Sequence, residues 1–471
     1  AGIGALRRRF SAVIFGYHAV PRPSSGDGGP RVGLVRTGHG PPLATQWRDG
    51  DTKNGSATMT LLRMLLENGV ERGDLTIVDA AGNAHRHAVG PTPRVVARLT
   101  DRGALRALVL RPELCLGELY VDGRLVIEEG TLEDLLDILM GAPRTGRSPV
   151  ARRLPRWVHR LGGSLRATNP LPRAARNARH HYDLGNDLYT AFLDPAMQYS
   201  CAYFGRPDDD IATAQRRKMA HIAAKLRLEP DHHVLDIGCG WGGLAIHLAE
   251  TTGCRVTGLT LAHEQAALAR ERVARAGLDD RVDIRIQDYR QVEGRFDRIV
   301  SVGMFEHVGP ADYGEYFANV RRLLTDRGLA LIHSIGRAHG PMPTNPWIAR
   351  YIFPGGYIPA LSEVLPVVEQ NRLWSTDLEI LRLHYAHTLA AWRRRFEAAA
   401  RADPERFDER FQRLWRFYLV GSEMFFRRQD GMVFQLQLAR ERGAAPITRD
   451  YMVRERLDVD APPAEPARLS A

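Results

Sequence analysis

The chain has 471 residues, a formal net charge of +10, 44% hydrophobic residues and four cysteines. That length suggests two or three domains with full cores. Cys115, Cys201, Cys239 and Cys254 lack disulfide-type and metal-type spacing, which reads as a reducing cytoplasm with no metal centre, and no apolar run reaches the roughly 18 residues a membrane-spanning helix needs.

Residues 1–58 are rich in Gly, Pro and Arg, with eight basic side chains against Asp27, Asp49 and Asp51. Such a stretch buries little and is expected to be a disordered extension. A targeting peptide is the alternative, but Arg7 to Arg9 precede only a short apolar run. Met59 reads as the natural start, and residues 59–142 as a small α+β unit. Strands are expected at Leu75–Val78 and Ala88–Val89, and helices at Arg94–Leu108 and Leu132–Met140. Glu118–Val126 reads as a strand pair turning at Asp122-Gly123. This unit carries no catalytic constellation and suits docking.

Residues 143–174 read as an arginine-rich linker. Between Gly141 and His180 stand ten arginines and no Asp or Glu, interleaved with Leu154, Trp157, Val158 and Leu161. That pattern suits an anionic lipid surface, at roughly 1 kcal/mol per basic residue near the headgroups. Nucleic acid and a plain solvated linker are the other two readings.

From residue 175 to 471 the pattern alternates strand and helix. Strands are expected at 233–237, 255–259, 282–286, 297–302 and 328–333, with helices such as Leu244–Glu250, Glu264–Ala276 and Asp312–Leu324 between them. This is a doubly wound α/β fold, whose ligands sit at the carboxyl ends of its strands. The sequence VLDIGCGWGG at 234–243 places a glycine-rich turn after the first strand. Gly238 and Gly240 let the backbone bend and approach a ligand closely, and the helix that follows favours polar groups at its N-terminus. An NAD site would place an acidic ribose ligand about 20 residues on, where Thr260 and Leu261 stand with Glu264 and Gln265 beyond. A phosphate-binding G-x-x-x-x-G-K-[ST] loop is absent too. S-adenosylmethionine remains, as does a strand-to-helix turn without a ligand. Other chemistry-capable residues fall after later strands: Asp288 and Tyr289, then Met304–Val308, then Ile332–Ile335.

Several longer stretches resemble the cyclopropane fatty-acid synthases. They are HHYDLGNDLY at 180–189, MQYSCAYF at 197–204, VLDIGCGWGG at 234–243 and GLTLAHEQ at 258–265. FEHVG at 305–309, YIFPGG at 351–356 and HYAHTLAAW at 384–392 follow in the same order. The resemblance runs from about residue 90 to 440. It includes LGELYVDG at 116–123, similar to the amino-terminal lipid-associated domain of the bacterial phospholipid enzymes. Relatives acting on mycolic acids have little of that domain, which favours phospholipid. Ala386-His387 departs from the family where charged residues are common, with little effect expected because Tyr385, Thr388 and Leu389 remain.

The resemblance implies a class I, Rossmann-like S-adenosylmethionine-dependent methyltransferase domain beside a smaller α+β amino-terminal domain. It implies a methylene transfer to the cis double bond of unsaturated phospholipid acyl chains, through a carbocation deprotonated by a bound bicarbonate. The nest for that anion maps onto Cys201, Glu306, His333, Ile335 and Tyr385. Cys201 and Ile335 would offer mainly backbone groups, His333 and Tyr385 hydrogen-bond donors, and Glu306 an acceptor that raises the basicity of the anion. Contacts to the donor map onto Tyr199, Ser200, Gly238, Gly240, Thr260, Leu261, Gln265, Asp288 and Tyr289. An acyl tunnel draws on Trp347, Tyr351, Phe353, Tyr357, Tyr418, Gly421, Phe425 and Phe426. The implied setting is cytoplasmic, as a homodimer at the anionic inner face of the membrane, without nucleic acid. A branching methyltransferase and a lipid-binding sensor are the rival functions. The intact Glu306, His333 and Tyr385 set argues against a sensor. Phe305-Glu306-His307, standing where a nucleic-acid methyltransferase would carry a Pro-Pro-Tyr-type motif, argues against that class.

Overall fold

The computed structural model describes residues 57–141, 185–206 and 208–453. The arginine-rich linker and nearly all of the amino-terminal extension lie outside them, as do residues 180–184 of the first family motif. The described chain divides into two compact units, the first taking in Glu409–Met424 besides residues up to 141. The expected catalytic part ran unbroken to the C-terminus, whereas this stretch of helix counts with the first unit.

The first unit opens with α1 (Ala57–Gly69), two residues before Met59. Then come β1 (Asp74–Val78), β2 (Ala84–Ala88) and β3 (Arg94–Leu99). Helices α2 (Arg102–Leu110) and α3 (Pro112–Val121) precede β4 (Leu125–Glu129) and α4 (Leu132–Met140). The four strands form one sheet in the order β2-β1-β3-β4.

Two expectations fail here. Arg94–Leu108 is not one helix, because its first six residues alternate in burial, with Val95, Ala97 and Leu99 inward. A period of two fits a half-buried strand. The helix starts only after Asp101, whose Oδ1 accepts from the Ala104 amide at 2.9 Å. Glu118–Val126 is not a hairpin either. Pro112 opens α3, where its missing N–H costs nothing, and Gly123 takes φ +71° just past the helix end. The expected turn is thus a helix terminus, and Leu125 onward pairs antiparallel with β3. Val89 lies outside β2 and is exposed. Within this unit Arg410 bonds Asp122 at 3.0 Å, and the Phe417 ring meets Tyr120 at 5.8 Å.

The second unit begins with α5 (Asn186–Phe192) and α6 (Ile211–Leu226). The alternating part follows: β5 (His233–Ile237), α7 (Gly243–Thr252), β6 (Arg255–Thr260), α8 (His263–Ala276), β7 (Val282–Ile286), β8 (Phe296–Val302), α9 (Tyr313–Leu323) and β9 (Leu324–Arg337). Beyond it lie α10 (Pro346–Tyr351), α11 (Leu361–Gln370), β10 (Trp374–Ile380), α12 (His384–Ala402) and β11 (Gly431–Ala439), with α13 (Glu409–Arg428) before β11 counting with the first unit as far as Met424. The seven strands form one sheet in the order β10-β11-β9-β8-β5-β6-β7. Strands β5 to β9 pair in parallel, and β11 runs antiparallel to both β9 and β10. β9 is 14 residues long, far beyond the expected 328–333, because β11 pairs with it from Leu329 to Arg337. His333 and Ile335 therefore lie within the strand rather than after it. One core cluster gathers Ile299, Phe305, Tyr313, Phe317 and Val320, and another gathers Val234, Leu248, Ala266 and Val273. The order reverses at β5, whose neighbours are β8 and β6. A ligand crevice belongs there.

Candidate active site

A cavity opens at the carboxyl ends of β5 to β8. It is lined by all nine residues expected to contact the donor: Tyr199, Ser200, Gly238, Gly240, Thr260, Leu261, Gln265, Asp288 and Tyr289. The turn after β5 needs its glycines. Gly238 has φ +89°, a region L side chains rarely adopt, and a Cβ there would meet Met304 Cβ at 2.9 Å. Gly238 and Cys239 both donate backbone N–H bonds to Leu259 O, which clamps the turn onto β6.

Gly243, at the start of α7, is tighter still. A Cβ built there would stand 1.9 Å from the Ala196 carbonyl oxygen. Ala196 leads directly into Met197–Ser200, which lines the cavity. Gly243→Ala should therefore displace that segment and cost about 3 kcal/mol, as overpacking does. A lower melting temperature and weaker S-adenosylmethionine binding by calorimetry would show it. An unchanged affinity would contradict the steric argument.

Around the rim, Thr260 Oγ1 donates to Gln265 Oε1 at 2.9 Å, and Glu264 is exposed and outside the lining. The end of β6 thus presents uncharged groups. Buried Asp288 is held by Arg290, whose Nε and Nη2 each lie 2.8 Å from a carboxylate oxygen. The Tyr289 ring stands edge-on to Tyr316 at 5.4 Å. Asp236, at the end of β5, is 1% exposed and its Oδ2 has no hydrogen-bond partner. Burial pushes its carboxyl up, while Lys218 pulls the other way.

Lys218 was not foreseen. It sits fully buried on α6 and donates from Nζ to Gln198 Oε1 at 2.5 Å and Ser200 Oγ at 2.8 Å. Gln215, one turn earlier, donates to Ser200 O at 2.9 Å. Both hold the cavity-lining segment from behind. A charged residue at helical spacing from buried Ala214 and Ile222 was the available signal.

Of the five residues expected to form the anion nest, Glu306 and Ile335 are in direct contact, and Cys201, His333 and Tyr385 are each tied to residues around this cavity. The turn at Phe305–His307 follows β8 and is anchored by Phe305, stacked on Tyr313 at 4.6 Å. From it Glu306 Oε1 accepts the Ile335 backbone N–H at 2.7 Å, while Glu306 O accepts from Tyr357 N at 2.8 Å. Gly303 N donates to His333 O at 2.9 Å. The Cys201 thiol is buried and its neighbour Ala202 donates its amide to Thr388 Oγ1 at 3.0 Å. Thr388 lies on α12 one turn beyond Tyr385. The Tyr385 ring meets Trp392 at 5.9 Å, and Trp392 meets Tyr199 of the donor cavity at 5.1 Å.

Burial sets the charge states. It pushes the Glu306 carboxyl up to about 7, against the opposing hydrogen bond from Ile335. It pushes His333 down to about 3, so the ring is neutral. The Cys201 thiol is driven up by burial and stays protonated, which leaves backbone atoms as its offering. Glu306 Oε2 is buried without a partner. An orphaned buried acceptor on a carboxyl already held by a backbone amide fits a small hydroxyl-bearing anion. His307, also held neutral by burial, lines the donor cavity instead.

Of the aromatics expected along an acyl tunnel, Phe353 stands edge-on to His307 at 6.3 Å, and Phe426 meets Tyr385 at 4.9 Å. Trp347 packs on Tyr351 at 5.6 Å. Tyr418 and Gly421 count with the first unit, where Tyr418 meets Trp415 at 5.1 Å.

Comparison with known proteins agrees with this geometry. Residues 170–436 match the family described as mycolic acid cyclopropane synthetase. The chain is 40% identical over 347 residues to the cyclopropane-fatty-acyl-phospholipid synthase of Escherichia coli strain K12, covering 73% of this chain and 87% of that protein. It is 36% identical over 409 residues to a tuberculostearic acid methyltransferase of Mycobacterium tuberculosis, covering 82% and 92%. Among solved structures, the mycolic acid cyclopropane synthase CmaA1 in complex with SAH and CTAB aligns with a TM-score of 0.52 at 33% identity. That alignment covers 56% of this chain and 97% of CmaA1.

Proposed function

The chain belongs to the cyclopropane synthase family, and on that premise we propose that it converts cis double bonds of membrane phospholipid acyl chains into cyclopropane rings. The observation that carries this is the cavity at β5 to β8 together with the buried Glu306, held by Ile335, between its lining residues Met304 and His307. When bound, S-adenosylmethionine supplies the methyl group, with the C–S electron pair left on sulfur, and bicarbonate supplies the base. The alkene π pair forms the new C–C bond, and loss of one proton from the new methyl closes the ring.

The residues supply position and exclusion of water. Gly238 and Gly240 allow close approach of the donor, and Asp236 Oδ2 offers a buried acceptor to its amino end. An alkene is a poor nucleophile, so in-line placement is the main requirement. Glu306 keeps Oε1 on Ile335 and turns its buried Oε2 to the anion's hydroxyl, which draws that anion toward its basic form. The apolar surround protects the cation from water.

The same reading places the protein in the cytoplasm as a homodimer on the inner membrane face, without nucleic acid. The ten arginines within 144–179 suit anionic headgroups. Among the described residues no helix is long and apolar enough to cross a membrane. A second reading, acyl methylation to a branched product, is favoured by the 36% identity to a fatty acid methyltransferase.

The test is a lipid analysis. Protein is incubated with S-adenosylmethionine and vesicles of an anionic phospholipid with cis-unsaturated chains. Mass spectrometry and proton NMR of the fatty acids follow. One added CH2 with upfield ring protons is the expected result. Vinylidene or methyl-branch protons would establish the second reading, and donor binding without any lipid product would sink both.

A further inference from the structure

β9 and β11 pair antiparallel with His333 directly opposite Gln435. β10 places Glu379 opposite Gln435 on its other side. Both members of the first pair are buried, at 2% and 0% exposure. Gln435 Nε2 lies 3.1 Å from His333 Nδ1, and Gln435 Oε1 has no partner. Among the described residues no other hydrogen bond reaches the His333 ring.

A neutral imidazole carries its proton on one nitrogen and a lone pair on the other. Which nitrogen holds the proton is set by the partner of the other. A donor at Nδ1 requires the lone pair there, which puts the proton on Nε2. The same logic orients metal-binding histidines through their outer partners. We infer that Gln435 is a positioning residue whose side-chain N–H holds His333 in the Nε2–H tautomer, so that the ring always presents a donor to the anion nest.

This rests on the reading of His333 as a nest donor. The titratable groups facing the ring are Lys218, Lys225, His221 and Glu379. The first three reinforce burial in keeping it neutral, and Glu379 opposes them. Glu379 is itself occupied by His221 and Lys225, each 2.6 Å from its Oε2. Neutrality leaves two tautomers open, and Gln435 decides between them. Were the amide reversed, its carbonyl would accept from Nδ1–H and the nest would meet a lone pair instead.

The test uses the full chain with 15N-labelled histidine, the His333 signals being those that vanish in His333→Gln. Wild type should show a protonated Nε2 and a bare Nδ1. Gln435→Leu should show mixed tautomers, with kcat for ring formation down about tenfold, the worth of one buried hydrogen bond, and KM for S-adenosylmethionine unchanged. Gln435→Glu, which accepts from Nδ1–H, should reverse the tautomer and lower kcat further. A wild-type ring protonated at Nδ1 overturns the inference, even if neither Gln435 variant folds. So does Gln435→Leu with an unaltered tautomer. If His333→Gln keeps full activity while Gln435→Leu still mixes the tautomers, the tautomer assignment stands and the nest reading of His333 falls.

Discussion

Glu306→Gln should reduce ring formation by about two to four orders of magnitude, the usual contribution of a positioned acid or base. Affinity for S-adenosylmethionine should hardly change, because Glu306 lies outside the donor cavity lining. The amide keeps the size of the carboxyl and can still accept from Ile335 N–H. It cannot carry the negative charge that draws a proton from a neighbouring hydroxyl. The pH dependence carries a sign. Burial raises the Glu306 carboxyl to about 7, so it is protonated below that pH and ionised above. Activity should rise through pH 7, and the residual activity of Glu306→Gln should lack that limb. The stability term runs the other way. A carboxyl raised from 4.5 to about 7 in the folded protein favours folding at low pH and loses that contribution between those values. Measuring kcat from pH 5.5 to 9 for both proteins separates the two. Equal activity in wild type and variant would remove Glu306 from the mechanism.

Lys218→Met should be the most destabilising single change on α6. It leaves Gln198 Oε1 and Ser200 Oγ without their donor and Asp236 without its counter-charge. Breaking a buried ionic group by removing one partner costs about 3–5 kcal/mol. In a unit of this size that corresponds to a fall in melting temperature of about 10 °C. Because Gln198, Ser200 and Asp236 all line the donor cavity, S-adenosylmethionine affinity should drop at least about tenfold. Thermal melts and calorimetric titration test both parts. A stable variant with full affinity would mean that the segment 197–201 is held by Asp194 and Gln215 alone, through their bonds to Gln198 N and to Ser200 O.

The cavity at β5 to β8 was legible in the sequence because its parts are local. A strand, a glycine turn and a helix start are contiguous in chain, so φ-permissive residues at 238 and 240 carry their own geometry. The uncharged end of β6 was readable as well, since Thr260, Leu261 and Gln265 are neighbours in sequence. The first unit was less legible. Arg94–Leu99 and Pro112–Val121 are short apolar stretches whose period is ambiguous by itself. Which becomes strand and which helix is settled by which face finds a core.

The amino-acid sequence by itself determined the doubly wound frame and the family motifs, along with the uncharged end of β6. All of these follow from periodicity and from residues a few positions apart. Only the tertiary structure decided what lies behind them. His333 and Gln435 are 102 positions apart, and Ala202 and Thr388 186. They meet because β11 returns antiparallel along β9 and because α12 packs against the segment after Ser200. Hydrogen bonds over such separations depend on chain reversals that no local pattern encodes, and those reversals bring motif residues against partners far away in the chain.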